Sequence, residues 1–125
     1  MQKPISYRIF VVDDEEIITT TLVSILNMSG FDAYGFVRPL EALQAAQSKR
    51  PDILLTDVVM PEMFGTDLAI QMKQQCPECR VLLFSGQAGV SNFLEKARER
   101  GHEFTLLSKP IHPSDLLEEI RRSAA

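Results

Sequence analysis

The chain has no tryptophan, only two tyrosines and only two cysteines. Both cysteines fall in Cys76-Pro77-Glu78-Cys79, so a framework of several disulfides is excluded. A redox C-x-x-C should open a helix, where the N-terminus lowers a thiol pKa. This pair instead stands where a helical pattern ends, ahead of the apolar run Val81 to Phe84. A zinc site needs about four ligands, and His102 and His112 belong to other loops. We expect two incidental loop cysteines. No apolar run approaches the roughly 18 residues of a membrane span, and the N-terminus lacks a signal-peptide core. A cytoplasmic location with no membrane partner is the expectation. Long Lys/Arg runs are missing too, and the formal net charge is -4. The Arg121-Arg122 pair suits a helix C-terminus better than a nucleic-acid patch, so no direct nucleic-acid binding is expected.

What remains is 125 residues, 45% hydrophobic and 24% charged, the balance of one globular domain over residues 1–125. Strand and helix signals alternate five times. Arg8 to Val12 is a short, nearly continuous apolar run, as in a parallel strand covered on both faces. Ile18, Leu22, Ile25 and Leu26 follow at helical spacing, with Gly30 as a stop. Ala33 to Val37 is a weaker strand, and Pro39 suits the first turn of a helix reaching about Ser48. Ile53 to Thr56 reads as the third strand and Gly65 to Gln75 as the third helix. Val81 to Phe84 gives the fourth strand. Val90, Phe93, Leu94 and Ala97 give the fourth helix, closed by Gly101. Phe104 to Ser108 is the last strand, and Ser114 or Asp115 to about Arg122 the last helix. Such alternation with short links predicts a parallel α/β sheet with helices on both faces.

In open α/β sheets ligands sit at the carboxyl ends of the strands. Just past those ends stand Asp13 and Asp14, Asp57, Ser85 and Lys109. The second strand ends in Val37-Arg38 and adds no polar group of this kind. Three aspartates brought together repel one another. At about 4 Å and an effective dielectric near 20, each pair costs on the order of 4 kcal/mol. Such a site must bind a cation, hold a proton, or both. Oxygen ligands favour Mg²⁺ or Mn²⁺ over zinc. A carboxylate, a divalent metal, a lysine and a hydroxyl together suit the charge on a transferring phosphoryl group. The natural role for Asp57 is nucleophile, giving an acyl phosphate. Helix capping by polar strand-end residues is the blander alternative, but it calls for neither the lysine nor the doubled aspartate.

Asp13-Asp14, Asp57 within Asp57-Val58-Val59-Met60-Pro61, the later Gly65, Ser85-Gly86 and Lys109-Pro110 together resemble the receiver domain of two-component response regulators. The resemblance covers essentially the whole chain. It implies a flavodoxin-like (βα)5 sandwich with strand order 2-1-3-4-5. It also implies that Asp57 takes a phosphoryl group from a phosphohistidine on a sensor histidine kinase or phosphotransfer protein, and so switches an output partner. Asp14, Asp57 and the Val59 carbonyl would ligate Mg²⁺, with Asp13 acting through water. Lys109 would pair with the carboxylate and then the phosphoryl oxygens, and Ser85 would move to the phosphoryl group. The Lys109-Pro110 peptide would be cis.

One departure stands out. The family usually carries Tyr or Phe three residues before the lysine, where this chain has Leu106. An aromatic flip is impossible there, so we expect the signal to travel through Ser85, the loop from Gly86 to Val90 and the fourth helix. Phe104, five before the lysine, reads as a packing residue. Met60 and Met63 read as gap-fillers shielding the site. A haloacid-dehalogenase-like phosphatase would need an acid/base aspartate two residues after the nucleophile, where Val59 stands, so slow rather than rapid hydrolysis is expected. A receiver-like scaffold that works without phosphorylation stays open. So does the choice between a stand-alone receiver and part of a larger protein.

Overall fold

The computed structural model describes residues 7–87 and 89–124. Five strands, β1 (Arg8–Val12), β2 (Asp32–Phe36), β3 (Ile53–Asp57), β4 (Arg80–Ser85) and β5 (Thr105–Ser108), form one parallel sheet in the order β2-β1-β3-β4-β5. Between and after them run α1 (Glu16–Met28), α2 (Pro39–Ala45), α3 (Gly65–Gln75), α4 (Ser91–Glu99) and α5 (Pro113–Ala124). This is the flavodoxin-like arrangement that the resemblance implied.

Alternation along the strands sorts the core into two layers, because successive side chains leave opposite faces. Ile9, Val11, Ile53, Leu55, Leu82 and Phe84 face Leu22 and Leu26 of α1 and Leu116 and Ile120 of α5. Phe10, Val12 and Leu54 face Ala42 and Leu43 of α2 and Leu68, Ala69 and Met72 of α3. Leu83 joins Val58 and Val90 in a smaller cluster beneath α4, with Phe93, Leu94 and Leu106 packed against it. β3 is buried along its whole length, so Asp57 projects from the most completely buried strand of the sheet.

Several boundaries moved. β2 begins and ends one residue early, because its register sets Asp32 opposite Arg8 and the Phe36 carbonyl accepts the Asp13 N–H at 3.1 Å. α2 stops at Ala45 rather than near Ser48, where the chain tightens into bonds between residues three apart, Gln47 to Gln44 and Ser48 to Ala45. β5 starts at Thr105, and Phe104 is half-buried against the core, stacked on His102 at 5.7 Å. α5 opens on Pro113, with Ser114 N–H donating to His112 Nδ1 at 3.2 Å.

The cysteines are free and stand in a loop, as expected. They lie in the α3–β4 loop, but both are buried in the α2–α3 layer of the core. The loop folds inward because Cys79 N–H donates to Cys76 O at 2.9 Å and Lys73 Nζ donates to Cys79 O at 2.8 Å. Burial, and next to it the neighbouring Cys76, pushes the Cys79 thiol up to about 12. Thiols of this kind are packing groups. In the native chain a disulfide thiol reagent should label them slowly, at the rate of structural opening, and rapidly in denaturant. Immediate stoichiometric labelling of the native protein would contradict this placement.

Candidate functional site

Each residue of the site is set by the end of a strand. β1 carries Asp13 and Asp14, β3 ends on Asp57, β4 ends on Ser85, and Lys109 follows β5. Asp13 is fully buried, Asp57 and Ser85 are nearly so, and Asp14 is exposed. The carboxylates of Asp13, Asp14 and Asp57 offer one oxygen each within 4.8 Å of one another. All of the strand-end residues singled out from the sequence are thus brought to one edge, and the three aspartates share one place.

Lys109 reaches into this group. Its Nζ lies 2.8 Å from Asp13 Oδ2 and 3.5 Å from Asp57 Oδ2, so its shorter contact is to Asp13 rather than to Asp57. The ammonium also sits 4.8 Å from the Phe84 ring centroid, a cation–π arrangement. The Lys109-Pro110 peptide is cis.

The carboxylates are further fixed by backbone. Val58 N–H donates to Asp57 Oδ1 at 2.9 Å, which turns Oδ2 toward the lysine. Asp13 Oδ1 accepts the Glu15 N–H at 2.8 Å, and the Asp13 carbonyl accepts the Thr19 hydroxyl at 3.0 Å. Ser85 Oγ accepts the Gln87 N–H at 3.1 Å, which leaves the hydroxyl proton for another acceptor. Val59 follows in the loop, half-buried against Val58, Leu83 and Val90. Met60 is buried and Met63 packs beside it, in keeping with the gap-filling role.

Two contributors were not foreseen, and a third, Gly65, was named only for its place in a motif. Buried Thr19 ties α1 to the site through the Asp13 carbonyl. Arg38, passed over at the end of the second strand, makes an exposed two-pronged ion pair with Glu62 at 3.1 and 2.6 Å, which ties the loops after β2 and β3 together. Gly65 matters more than its place in a motif suggested. Its N–H donates to Val58 O at 2.6 Å, and a Cβ there would lie 1.9 Å from the Asp57 carbonyl oxygen. Only glycine lets α3 start so close to the strand end.

The electrostatics follow from this crowding. Burial first, then the charge of Asp13, raises Asp57 to about 6; Lys109 and the Val58 N–H oppose the shift without cancelling it. Burial works to lower the Lys109 pKa, but the hydrogen bond and charge of Asp13, with a smaller share from Asp57, raise it on balance. A carboxylate so placed is short of positive charge.

The family profile of the response regulator receiver domain matches residues 9–121. The chain belongs to the response regulator receiver family. Over 115 residues it is 31% identical to the response regulator receiver protein CpdR of Brucella abortus, covering 92% of this chain and 94% of that one. It is likewise 31% identical over 115 residues to the DNA-binding transcriptional regulator NtrC of Escherichia coli, but spans only 24% of that protein. Among solved structures it is similar to the signal receiver domain of an HD domain-containing protein from Pseudomonas fluorescens (TM-score 0.86, 26% identity, 95% of this chain and 94% of that one). A CheY-like receiver from Methanospirillum hungatei gives a TM-score of 0.84 at 26% identity, over 94% and 92% of the two chains. The protein is therefore a receiver domain of two-component response regulators. No helix among the described residues is long and apolar enough to cross a membrane.

The raised Asp57 has a consequence for stability. Folded Asp57 holds its proton more tightly, near 6 against 3.8. Its contribution to stability is fully present below about pH 3.8 and is lost as the pH rises through 6. Asp57→Asn should therefore be more stable than the parent at pH 7.5, by on the order of 1–2 kcal/mol once screening at the open mouth is allowed for. That advantage should shrink as the pH falls from 7 to 4. Urea unfolding across that range measures it, and a gap independent of pH would contradict the assignment.

Proposed function

We propose that Asp57 accepts a phosphoryl group from a phosphohistidine on a sensor histidine kinase or phosphotransfer protein, and that the phosphorylated chain engages an output partner. The observation that carries this reading is the cluster of Asp13, Asp14 and Asp57, which meets one lysine at 2.8 and 3.5 Å. The donor set consists of hard oxygens in excess of the local positive charge, and it fits Mg²⁺, or Mn²⁺ in its place. Asp14, Asp57 and the Val59 carbonyl would hold the ion, with Asp13 through water. Bound there, it would supply positive charge against the phosphoryl oxygens.

The chain's own residues supply the rest. Val58 N–H holds one Asp57 oxygen, and the other attacks phosphorus in line. The P–O bond forms as the donor's P–N bond breaks, and the electron pair leaves on the imidazole nitrogen. Lys109 stands between Asp13 and Asp57 and can turn its ammonium to the phosphoryl oxygens without leaving Asp13. The Ser85 hydroxyl donates its proton to another phosphoryl oxygen. Val59 offers no side-chain base for an attacking water, so the acyl phosphate persists and release is slow. The chain's role is then signalling, with no rapid turnover of a substrate. A scaffold with no phosphorylation would have no use for a lysine poised between two buried aspartates. The signal leaves through Ser85, the loop after β4 and α4, because Leu106 provides no aromatic ring to move.

Incubation with acetyl phosphate and Mg²⁺ should add the mass of one phosphoryl group, and the gain should vanish in Asp57→Asn. Lys109→Ala should slow uptake by about a hundredfold, the usual loss for one charge-stabilising donor. Modification that persists in Asp57→Asn, or multiple turnover of a phosphate ester, would overturn the reading.

A further inference from the structure

α4 is the helix held least firmly to the sheet. α3 buries Leu68, Ala69, Ile70 and Met72 among others, whereas the only fully buried residue of α4 is Ala97. Phe93 and Leu94 are half-buried over the Val58–Leu83–Val90 cluster. An aromatic contact and an ion pair tie α4 to the start of α3. Near its start the Phe93 ring packs against Phe64, centroids 4.6 Å apart and planes tilted by 50°. Just past its end Arg100 Nη1 meets Asp67 at 3.5 Å. That ion pair is exposed and contributes little, which leaves the aromatic pair as the stronger tie.

The two rings sit on segments that are buried to different extents. Phe64 immediately precedes Gly65, whose backbone is pinned to Val58 O and pressed on the Asp57 carbonyl. It therefore rides on the fixed end of β3. Phe93 rides on α4, which hangs from the loop beginning at Ser85. In that loop Ser85 Oγ accepts the Gln87 N–H. If Ser85 turns to a phosphoryl group, that bond is disturbed, and the loop shifts α4 against a Phe64 that cannot follow.

We propose that the Phe64–Phe93 contact is a latch that holds α4 in its resting position and sets how readily occupation of Asp57 moves it. The latch takes the place of the aromatic lever that Leu106 lacks. It rests on the phosphoacceptor reading above, and it adds a residue pair outside the reacting atoms. An aromatic pair contributes enough beyond its buried area to change a two-state population about two- to tenfold. Weakening the pair should raise the fraction of shifted α4 before any phosphoryl group arrives. By linkage it should tighten beryllofluoride binding by the same factor.

The test uses Phe64→Leu, Phe93→Leu and the double variant. Phe64 is 43% exposed, so its loss of aromaticity should spare the fold. Backbone ¹⁵N and ¹³Cα shifts of residues 86–99 are recorded with and without Mg²⁺ and beryllofluoride. In Phe64→Leu the resting shifts should move part-way along the line joining the two parental states, and beryllofluoride affinity should rise two- to tenfold. In the double variant the second substitution should add little to the first. Resting shifts and affinity unchanged in Phe64→Leu, or additive effects of the two substitutions, would overturn the latch while leaving the phosphoacceptor role intact. Failure of the parent to bind beryllofluoride or to react with acetyl phosphate would overturn the role itself, and the latch with it.

Discussion

Three carboxylates whose oxygens approach within 4.8 Å, with one ammonium among them, are the constraint on which the structure depends. Left alone, such a group would spread apart or take up protons. It is held because Asp13 and Asp57 terminate two adjacent central strands, β1 and β3, whose side chains are buried on both faces. Sheet packing supplies the restoring force that the charges oppose. Asp57 therefore stays in a state that more positive charge would relieve, which is what the proposed cation would supply.

The same division of labour runs through the rest of the molecule. Rigid parts position the site: β3 entirely buried, Gly65 pressed on the Asp57 carbonyl, Thr19 bonded to the Asp13 carbonyl. The helix with the least buried surface is α4, where only Ala97 is buried. Segments with few buried contacts open and shift at low free-energy cost. In the proposed reading it is this helix, reached through Ser85, that registers a change at Asp57.

The five strands were legible because each is a short apolar run that stops at a polar residue, and the parallel sheet follows from their alternation with helices. Asp13, Asp14, Asp57, Ser85 and Lys109 were legible for the same reason, since strand ends of a parallel sheet share one edge. Features made by pairing across the chain were not. The bonds of Arg38 to Glu62 and the tilted contact of Phe64 with Phe93 join residues whose separation carries no periodic signal. The burial of Cys76 and Cys79 carries no sequence signal, because bonds of the loop backbone and of Lys73 fold the loop into the α2–α3 layer. The second strand was misplaced by one residue because Gly35 weakens its apolar pattern and the register to β1 decides its ends.

The central claim is that Asp57 is a carboxylate starved of positive charge. It is tested most directly by following the Asp57 side-chain carboxyl carbon by NMR through a pH titration, without and then with Mg²⁺. The account predicts a midpoint near 6 in the absence of the ion and a fall of that midpoint on its addition. A midpoint at the ordinary value of 3.8 that Mg²⁺ leaves unmoved would contradict it.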